Sequence, residues 1–351
     1  MSLAVEGYSG IELADNDHTL NLCWTLDEQP FLEPEIGHCI AATQRATGAL
    51  AHWYPVDDPY GHETLAPTIA SVFQVDPACI TVTCGAGVGG LLHSLAARLA
   101  GRTVGILSEC SPDFPEWLTR FGAVPVLGPS DRADILFVER PSLKHNSPYD
   151  DLAMLERLCA RGVALIIIDE SYANYLPNEA SAIRLLPGHD NLIVLRGASK
   201  AFSMGALRLG CAVSRARPAN APPMDLPAMQ VSSASMHLGR ALFAMSETKR
   251  AILRDRIAEA KAECREALLK AGLAEPVWPH PSLPHFMYDE HGKSAHRDAA
   301  ILLQRLGILG KKHMIWNGNT GTLRRYSVPL DLQRMARFKR MLDVVSRQAE
   351  T

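Results

Sequence analysis

What most restricts the fold of this chain is the alternation of short apolar runs with stretches of helical period through its middle. Ile80 to Thr83, Val104 to Leu107, Ile135 to Val138, Leu165 to Ile168, Leu192 to Leu195 and Leu209 to Val213 have the length and β-branched content of strands. Between them lie amphipathic segments such as Leu91 to Leu99 and Leu152 to Ala160. Strand and helix in alternation build βα units, so the expected fold is α/β, a large domain with a mainly parallel sheet flanked by helices. Ligands of such sheets collect at the carboxyl ends of the strands, which directs attention to the residues just after each run.

The pattern changes near Glu247. From there to Ala271 the chain reads as one long charged helix, with Gly272 as its stop. A weaker helix around Asp298 to Leu306 and a final one from Asp331 to Arg347 follow a proline-rich stretch. These features predict a smaller C-terminal α/β domain. The expected divisions are residues 1–45, an N-terminal segment contributing to the small domain and the substrate site; 46–246, the large ligand-binding domain; and 247–351, the connector helix with the small domain.

Composition narrows the partners. With 351 residues, 47% of them hydrophobic, the chain can bury a substantial core. Lys plus Arg number 35 against 38 acidic residues, so no global field draws nucleic acid or an anionic membrane. The longest apolar stretch, Val163 to Ile168, is far too short to cross a bilayer, and the N-terminus lacks the basic-then-apolar pattern of a secretory signal. Eight cysteines without a CxxC pair point to a reducing cytoplasm. The histidines of HPSLPHFMYDEHGKSAH, His280 to His296, match no compact ligand spacing, so no metal is expected and the segment reads as a solvated loop.

Three strand ends carry chemistry. After Leu192 to Leu195 comes RGASKAFSMGALRLG, with Ser199, Lys200 and Arg208. After Leu165 to Ile168 comes DESYANY, which puts Asp169 and Glu170 at the mouth of the sheet with Tyr172 close by. Asp169 there either faces a cation or caps the next turn. After Ile80 to Thr83 comes CGAGVGG, whose small residues let backbone N–H groups approach a phosphate at a helix start, or serve only a tight turn. Gly85, Gly87 and Gly90 also spell GxGxxG, with Glu109 about 20 residues on, so an NAD(P)-dependent enzyme is a rival reading. That rival leaves Lys200, Asp169 and Arg208 without work. A lysine for a Schiff base, a carboxylate for a pyridinium nitrogen, and an arginine with a helix N-terminus for a phosphate together meet the needs of pyridoxal 5'-phosphate.

The stretch from about Tyr54 to Arg324 resembles fold-type I pyridoxal-phosphate enzymes of the class I/II aminotransferase group, in layout most like histidinol-phosphate aminotransferases. NLIVLRGASKAFSMGALRLG resembles the family's strand, SK pair and downstream RLG arginine, which implies Lys200 as the Schiff-base lysine and Ser199 and Arg208 as phosphate ligands. VTCGAG resembles the phosphate turn, implying Gly85 and the backbone of Ala86 and Gly87. PDFPEW implies Phe114 against the cofactor ring, and IIIDESYANY implies Asp169 at the ring nitrogen with Tyr172 at the phenolic oxygen. HNSP implies Asn146 at that oxygen. WYP implies that Tyr54 reaches the phosphate of a neighbouring subunit in a homodimer. LRRYSVP implies Arg324 as the clamp on a substrate carboxylate, and PHF puts His285 on the substrate side. Gly87, Gly197, the stretch GILGKKH and the N-terminal DEQP (Asp27 to Pro30) depart from the family pattern, and the last two lie at its substrate-side positions.

The resemblance implies an aminotransferase acting on an amino acid in a biosynthetic pathway, a specialised-metabolite one included, with histidinol phosphate disfavoured as the substrate. A lyase, cyclase or decarboxylase on the same fold and cofactor is the alternative. A binding protein that has lost the chemistry is another.

Overall fold

The structure is a computed structural model and describes residues 15–23, 27–50, 54–129, 133–143, 147–216, 226–318 and 320–349. In chain order its strands are β1 (Leu20–Asn21), β2 (Ile80–Ala86), β3 (Thr103–Ile106), β4 (Val124–Leu127), β5 (Ile135–Glu139) and β6 (Leu165–Asp169). They continue as β7 (Leu192–Gly197), β8 (Leu209–Arg215), β9 (His285–Tyr288), β10 (Ile308–Leu309), β11 (Lys311–Trp316) and β12 (Thr320–Ser327). The α-helices are α1 (Gln29–Leu50), α2 (His62–Phe73), α3 (Gly87–Arg98), α4 (Asp113–Arg120) and α5 (Leu152–Cys159). Four more follow: α6 (Ser233–Phe243), α7 (Glu247–Lys270), α8 (Ser294–Arg305) and α9 (Leu332–Ala349).

The chain divides into two compact units, one of residues 1–31, 143–146 and 252–351, the other of residues 32–142 and 147–251. The breaks fall at 31/32 and 251/252, where the sequence reading puts them at 45/46 and 246/247. Both lie inside helices, α1 and α7, and an uninterrupted helical pattern carries no mark of a division.

In the unit of residues 32–142 and 147–251, seven strands form one sheet in the order β2-β8-β7-β6-β5-β3-β4. β7, β6, β5, β3 and β4 pair in parallel, while β8 runs antiparallel to both of its neighbours, β2 and β7. β2 therefore points the same way as the parallel strands, and its carboxyl end shares an edge with theirs. All six apolar runs of the sequence form strands of this sheet; β4, an edge strand with exposed Val124 and Leu127, lacks their signature.

Every residue of β5 and β7 is buried, as expected of a sheet covered on both faces. Side-chain direction alternates along a strand, so the two faces can be read by parity. On one face Val138, Ile168 and Val194 join Leu65, Ile69 and Phe73 of α2 in the core. On the other, Phe137 packs against Phe114 of α4 with ring centroids 4.6 Å apart.

The second unit has an antiparallel sheet β11-β12-β9 and a parallel pair β1-β10. Phe286 and Tyr326 stack at 5.0 Å between centroids in its core. The segment read as a solvated loop is solvated only in part. Lys261 Nζ donates to the carbonyls of His280 and Leu283, which ties that end down, and Leu283 and His285 are buried, whereas His291 is exposed. No cluster of potential metal ligands occurs among the described residues.

Candidate active site

The carboxyl edge of the seven-stranded sheet brings the predicted residues together. β7 ends at Gly197, and Lys200 follows, half-buried, with Nζ 5.3 Å from the centroid of the Tyr172 ring. Ala201 and Ser203 adopt φ of 63° and 54°, a left-handed conformation that non-glycine residues avoid and that the surrounding structure must hold in place. Asn174 supplies part of that hold. Its Nδ2 donates to the carbonyls of Gly197 at 2.7 Å and Lys200 at 3.2 Å. Ser199 lies half-buried beside the lysine.

At the end of β2, Gly85 and Ala86 lead into α3, whose first residue, Gly87, has φ +74°. No side chain caps this helix, so its first N–H groups and positive dipole end have no side-chain acceptor at the cap. Arg208 sits directly over the turn, with Nη2 3.3 Å from the Ala86 carbonyl; a Cβ on Gly87 would lie 2.7 Å from that nitrogen. Gly210, two residues beyond Arg208, is required for the same approach, because a Cβ there would come within 2.4 Å of the Gly87 backbone. With its positive φ and no Cβ, Gly87 leaves the Arg208 guanidinium room to lie against the turn.

Asp169 closes β6 and is buried. Its Oδ1 accepts from the Ser171 N–H at 2.8 Å and the Ser171 hydroxyl at 2.6 Å. Burial nevertheless pushes the carboxyl up to about 6, the Ser171 bonds offsetting only part of that cost. Phe114 is buried on the same face, against Phe137, and Tyr172 is buried beside Lys200.

Sequence reasoning missed several groups. Glu139, the last residue of β5, is the register partner of Asp169 and equally buried. The rule of looking just after each apolar run points at it directly. A buried ion network lies on the opposite face. Glu170 pairs with Arg140 and with Arg196, accepts from the Ser181 hydroxyl at 2.6 Å, and takes the Ala182 N–H at 2.8 Å. Burial pushes the Glu170 carboxyl up, but the two arginines and the donors outweigh it and leave it below the usual range. Arg196 also donates to Asn174 Oδ1 at 2.7 Å, so the network reaches the Lys200 backbone through one amide side chain.

Other predicted residues lie elsewhere. Tyr54 is 81% exposed. Asn146 falls outside the described residues. Arg324, on β12, pairs with Glu290 at 3.1 Å and points one guanidinium nitrogen toward the Gly310 carbonyl. His285 is buried at the start of β9. Asp27, in the stretch expected on the substrate side, is buried and bonded within its own unit. Its Oδ2 accepts the N–H groups of Leu330 and Asp331 at the start of α9, and Oδ1 pairs with Arg334.

Topology removes the dinucleotide reading. A GxGxxG turn serves a dinucleotide when the next strand lies parallel alongside and presents its acid to the ribose. Here β2 is an edge strand with an antiparallel neighbour, and four strands separate it from β3 and the Glu109 that follows.

Against solved structures, the chain aligns with histidinol-phosphate aminotransferase from Sinorhizobium meliloti in complex with pyridoxal-5'-phosphate over 90% of its own length and 88% of that chain, at TM-score 0.68 and 21% identity. A single mutant of Thermus thermophilus aspartate aminotransferase aligns over 93% and 92%, at TM-score 0.67 and 18% identity. The fold is that of the fold-type I aminotransferases. Residues 147–309 match the family model for aminotransferase class I and II. Histidinol-phosphate aminotransferase from Geobacter sulfurreducens is 28% identical over 207 residues, 54% of this chain and 56% of that protein. The match thus spans about half the length of these curated relatives.

Proposed function

We propose that the chain is a pyridoxal-phosphate-dependent aminotransferase acting on an amino acid in a biosynthetic pathway. One observation carries this reading: Lys200, Asp169 and the Arg208-covered N-terminus of α3 converge on a single edge of one sheet. The donor set fits the cofactor. The uncapped helix and Arg208 suit a phosphate, Phe114 and Tyr172 offer aromatic surface to a ring, and a buried carboxylate such as Asp169 calls for a cation like a pyridinium.

When bound, pyridoxal phosphate supplies an electron sink for negative charge at the substrate Cα. Lys200 would hold the group through Nζ, and its free amine would serve as the general base and acid at the substrate Cα. Asp169, buried at the end of β6, would keep a proton on the ring nitrogen by charge pairing. Arg208, Ser199 and the amides of Gly85, Ala86 and Gly87 would hold the phosphate, and Asn146 and Tyr172 would serve the phenolic oxygen. Arg324 binds the substrate carboxylate, with His285 on the substrate side. The reading extends to a homodimer in which Tyr54 reaches the other subunit's phosphate, supported by the exposure of Tyr54 and Val56, and to a reducing cytoplasm, where all eight cysteines stay free.

Borohydride reduction of the purified protein followed by peptide mass mapping tests the proposal. The adduct is expected on Lys200; a label on another lysine overturns the assignment. Lys200→Ala should cut turnover by roughly 10²- to 10⁴-fold or more while leaving cofactor bound non-covalently. Product analysis with a panel of amino acids separates transamination from elimination, cyclisation and decarboxylation.

A further inference from the structure

Two carboxyl groups stand side by side at the sheet edge with no arginine between them. Glu139 and Asp169 are register partners on the parallel strands β5 and β6, so their side chains leave the same face. Both residues are at least 95% buried. The next residues, Arg140 and Glu170, turn to the other face and satisfy one another. Glu139 is held firmly: its N–H donates to Ser108 Oγ at 2.9 Å, its carbonyl accepts from the same hydroxyl at 3.1 Å, and Oε2 accepts the Ser111 N–H at 3.1 Å. Oε1 is buried and has no hydrogen-bond partner. A fixed, buried acceptor without a donor is costly in a finished site and signals a missing proton or ligand atom.

We propose that Glu139 and Asp169 hold one proton between them, with Glu139 carrying it, so that Glu139 is a positioning residue that sets the charge Asp169 presents to the ring nitrogen. The proposal deepens the functional reading and rests on it. Two uncompensated carboxylates this close cannot both ionise in a dry site. The proton falls to Glu139 because Asp169 receives two donors from Ser171 on one oxygen whereas Glu139 receives one N–H. Electrostatics agree: burial and then the Asp169 charge push Glu139 up to about 8, above Asp169. Asp113 of α4 adds to this rise, while the Ser111 N–H and the Lys200 charge oppose it; the Cys110 thiol is pushed up by its burial first and then by the same acids. Around neutral pH the pair thus carries a single negative charge, matched to one pyridinium.

A cation arriving at Asp169 lowers the Glu139 pKa, and a group whose pKa falls on binding makes binding tighter as pH rises through its titration. The test compares the dissociation constant for pyridoxal phosphate in wild type and Glu139→Gln from pH 6 to 9.5. Gln keeps the acceptor for Ser111 and mimics the neutral acid. The ratio of variant to wild-type constants should stay near one below pH 7 and climb to about tenfold by pH 9, a coupling of one pKa unit. A ratio that is constant with pH overturns the pair, whether it is flat near one or already raised at pH 6.

If Glu139→Gln does not fold, Asp169→Asn tests the pair from the other side. Glu139, raised in the folded state, contributes stability at low pH that is lost as pH rises through its folded pKa. Without the neighbouring charge that loss should finish at lower pH in the cofactor-free variant; an unmoved midpoint overturns the proposal. Borohydride labelling of the same samples separates the two failures. A label on Lys200 with a flat ratio sinks the pair alone, and a label elsewhere sinks the functional reading beneath it.

Discussion

Asp169 and Glu170 are consecutive carboxylates at the end of one strand, and the fold treats them in opposite ways. Glu170 points to the α2 face, where Val138, Ile168 and Val194 continue by parity into Arg140, Glu170 and Arg196. Its charge is neutralised within the protein, and Arg196 lies 5.0 Å over the Phe73 ring as well. Asp169 points to the α4 face, where its register partner is another acid. A fold that can satisfy one buried carboxylate so completely leaves its neighbour short of a cation. The difference separates a carboxylate paired with two arginines from one whose neighbour across the register is another acid.

The largest expected effect breaks the paired side. Glu170→Gln leaves Arg140 and Arg196 buried without their carboxylate, and removal of one partner from such a network costs about 3 to 5 kcal/mol. Denaturant melts of wild type and variant measure it. A loss below about 1 kcal/mol, the range of an exposed pair, shows that water reaches the network and that the contrast between the two faces is false.

Asp169→Asn acts on the other side and should separate rate from stability. The fold should persist while kcat drops about a hundred- to a thousandfold, roughly 3 to 4 kcal/mol, because an amide cannot offset a pyridinium charge. The stability change has the opposite sign. Asp169 has its folded pKa raised to about 6 from 3.8, so it stabilises below the lower value and that contribution is lost as pH rises toward 6. Cofactor-free Asp169→Asn should lack that slope and melt above wild type at pH 7. Wild-type turnover in the variant reduces Asp169 to a cap for Ser171.

How much of this was legible beforehand depends on how local each signal is. Lys200, Asp169 and Arg208 stand out because a strand end is marked by a few consecutive residues, and the parallel sheet follows from the spacing of its runs. Glu139 stands just after its run as Asp169 does, but what marks it is the acid beside it on the next strand, a pairing set by the β5-β6 register and by no local pattern. Arg140, Glu170 and Arg196 meet only through the order β5-β6-β7, which no local pattern encodes. The partners of Asp27 are some 300 residues away in sequence, so its hydrogen bonds carry no local mark.

A weaker contrast of the same kind exists on β12. Arg324 and Arg325 are neighbours on a strand and face opposite ways; Arg324 is part-exposed and paired with Glu290, whereas Arg325 is buried. If Arg324 forks onto a substrate α-carboxylate, Glu290 competes for the same guanidinium. Arg324→Lys keeps the charge and loses the fork, for an expected loss of about 1.5 to 3 kcal/mol in kcat/KM with cofactor binding unchanged. Glu290→Gln should lower KM. If Arg325→Lys hurts instead, the clamp is the buried arginine; if neither matters in an active enzyme, the substrate is not held by an α-carboxylate here.

The smallest effect concerns the exposed Tyr54, the extreme opposite of the buried pair. A tyrosine 81% exposed beside the 65% exposed Val56 has no packing reason to be aromatic in an isolated chain, and a hydroxyl that finds its partner across a subunit interface gives it one. Tyr54→Phe then removes one hydrogen bond to the phosphate and should weaken cofactor binding by about 1 kcal/mol, roughly fivefold. The direct contact is distinguished from packing by phosphate itself: the penalty should vanish when pyridoxal replaces pyridoxal phosphate, since the missing group is the acceptor. Sedimentation at assay concentration supplies the other half. A dimer with the fivefold, phosphate-dependent loss places the phenol at a second copy's site, while a fully active monomer, or a loss of equal size with pyridoxal, returns Tyr54 to the surface as an ordinary exposed aromatic.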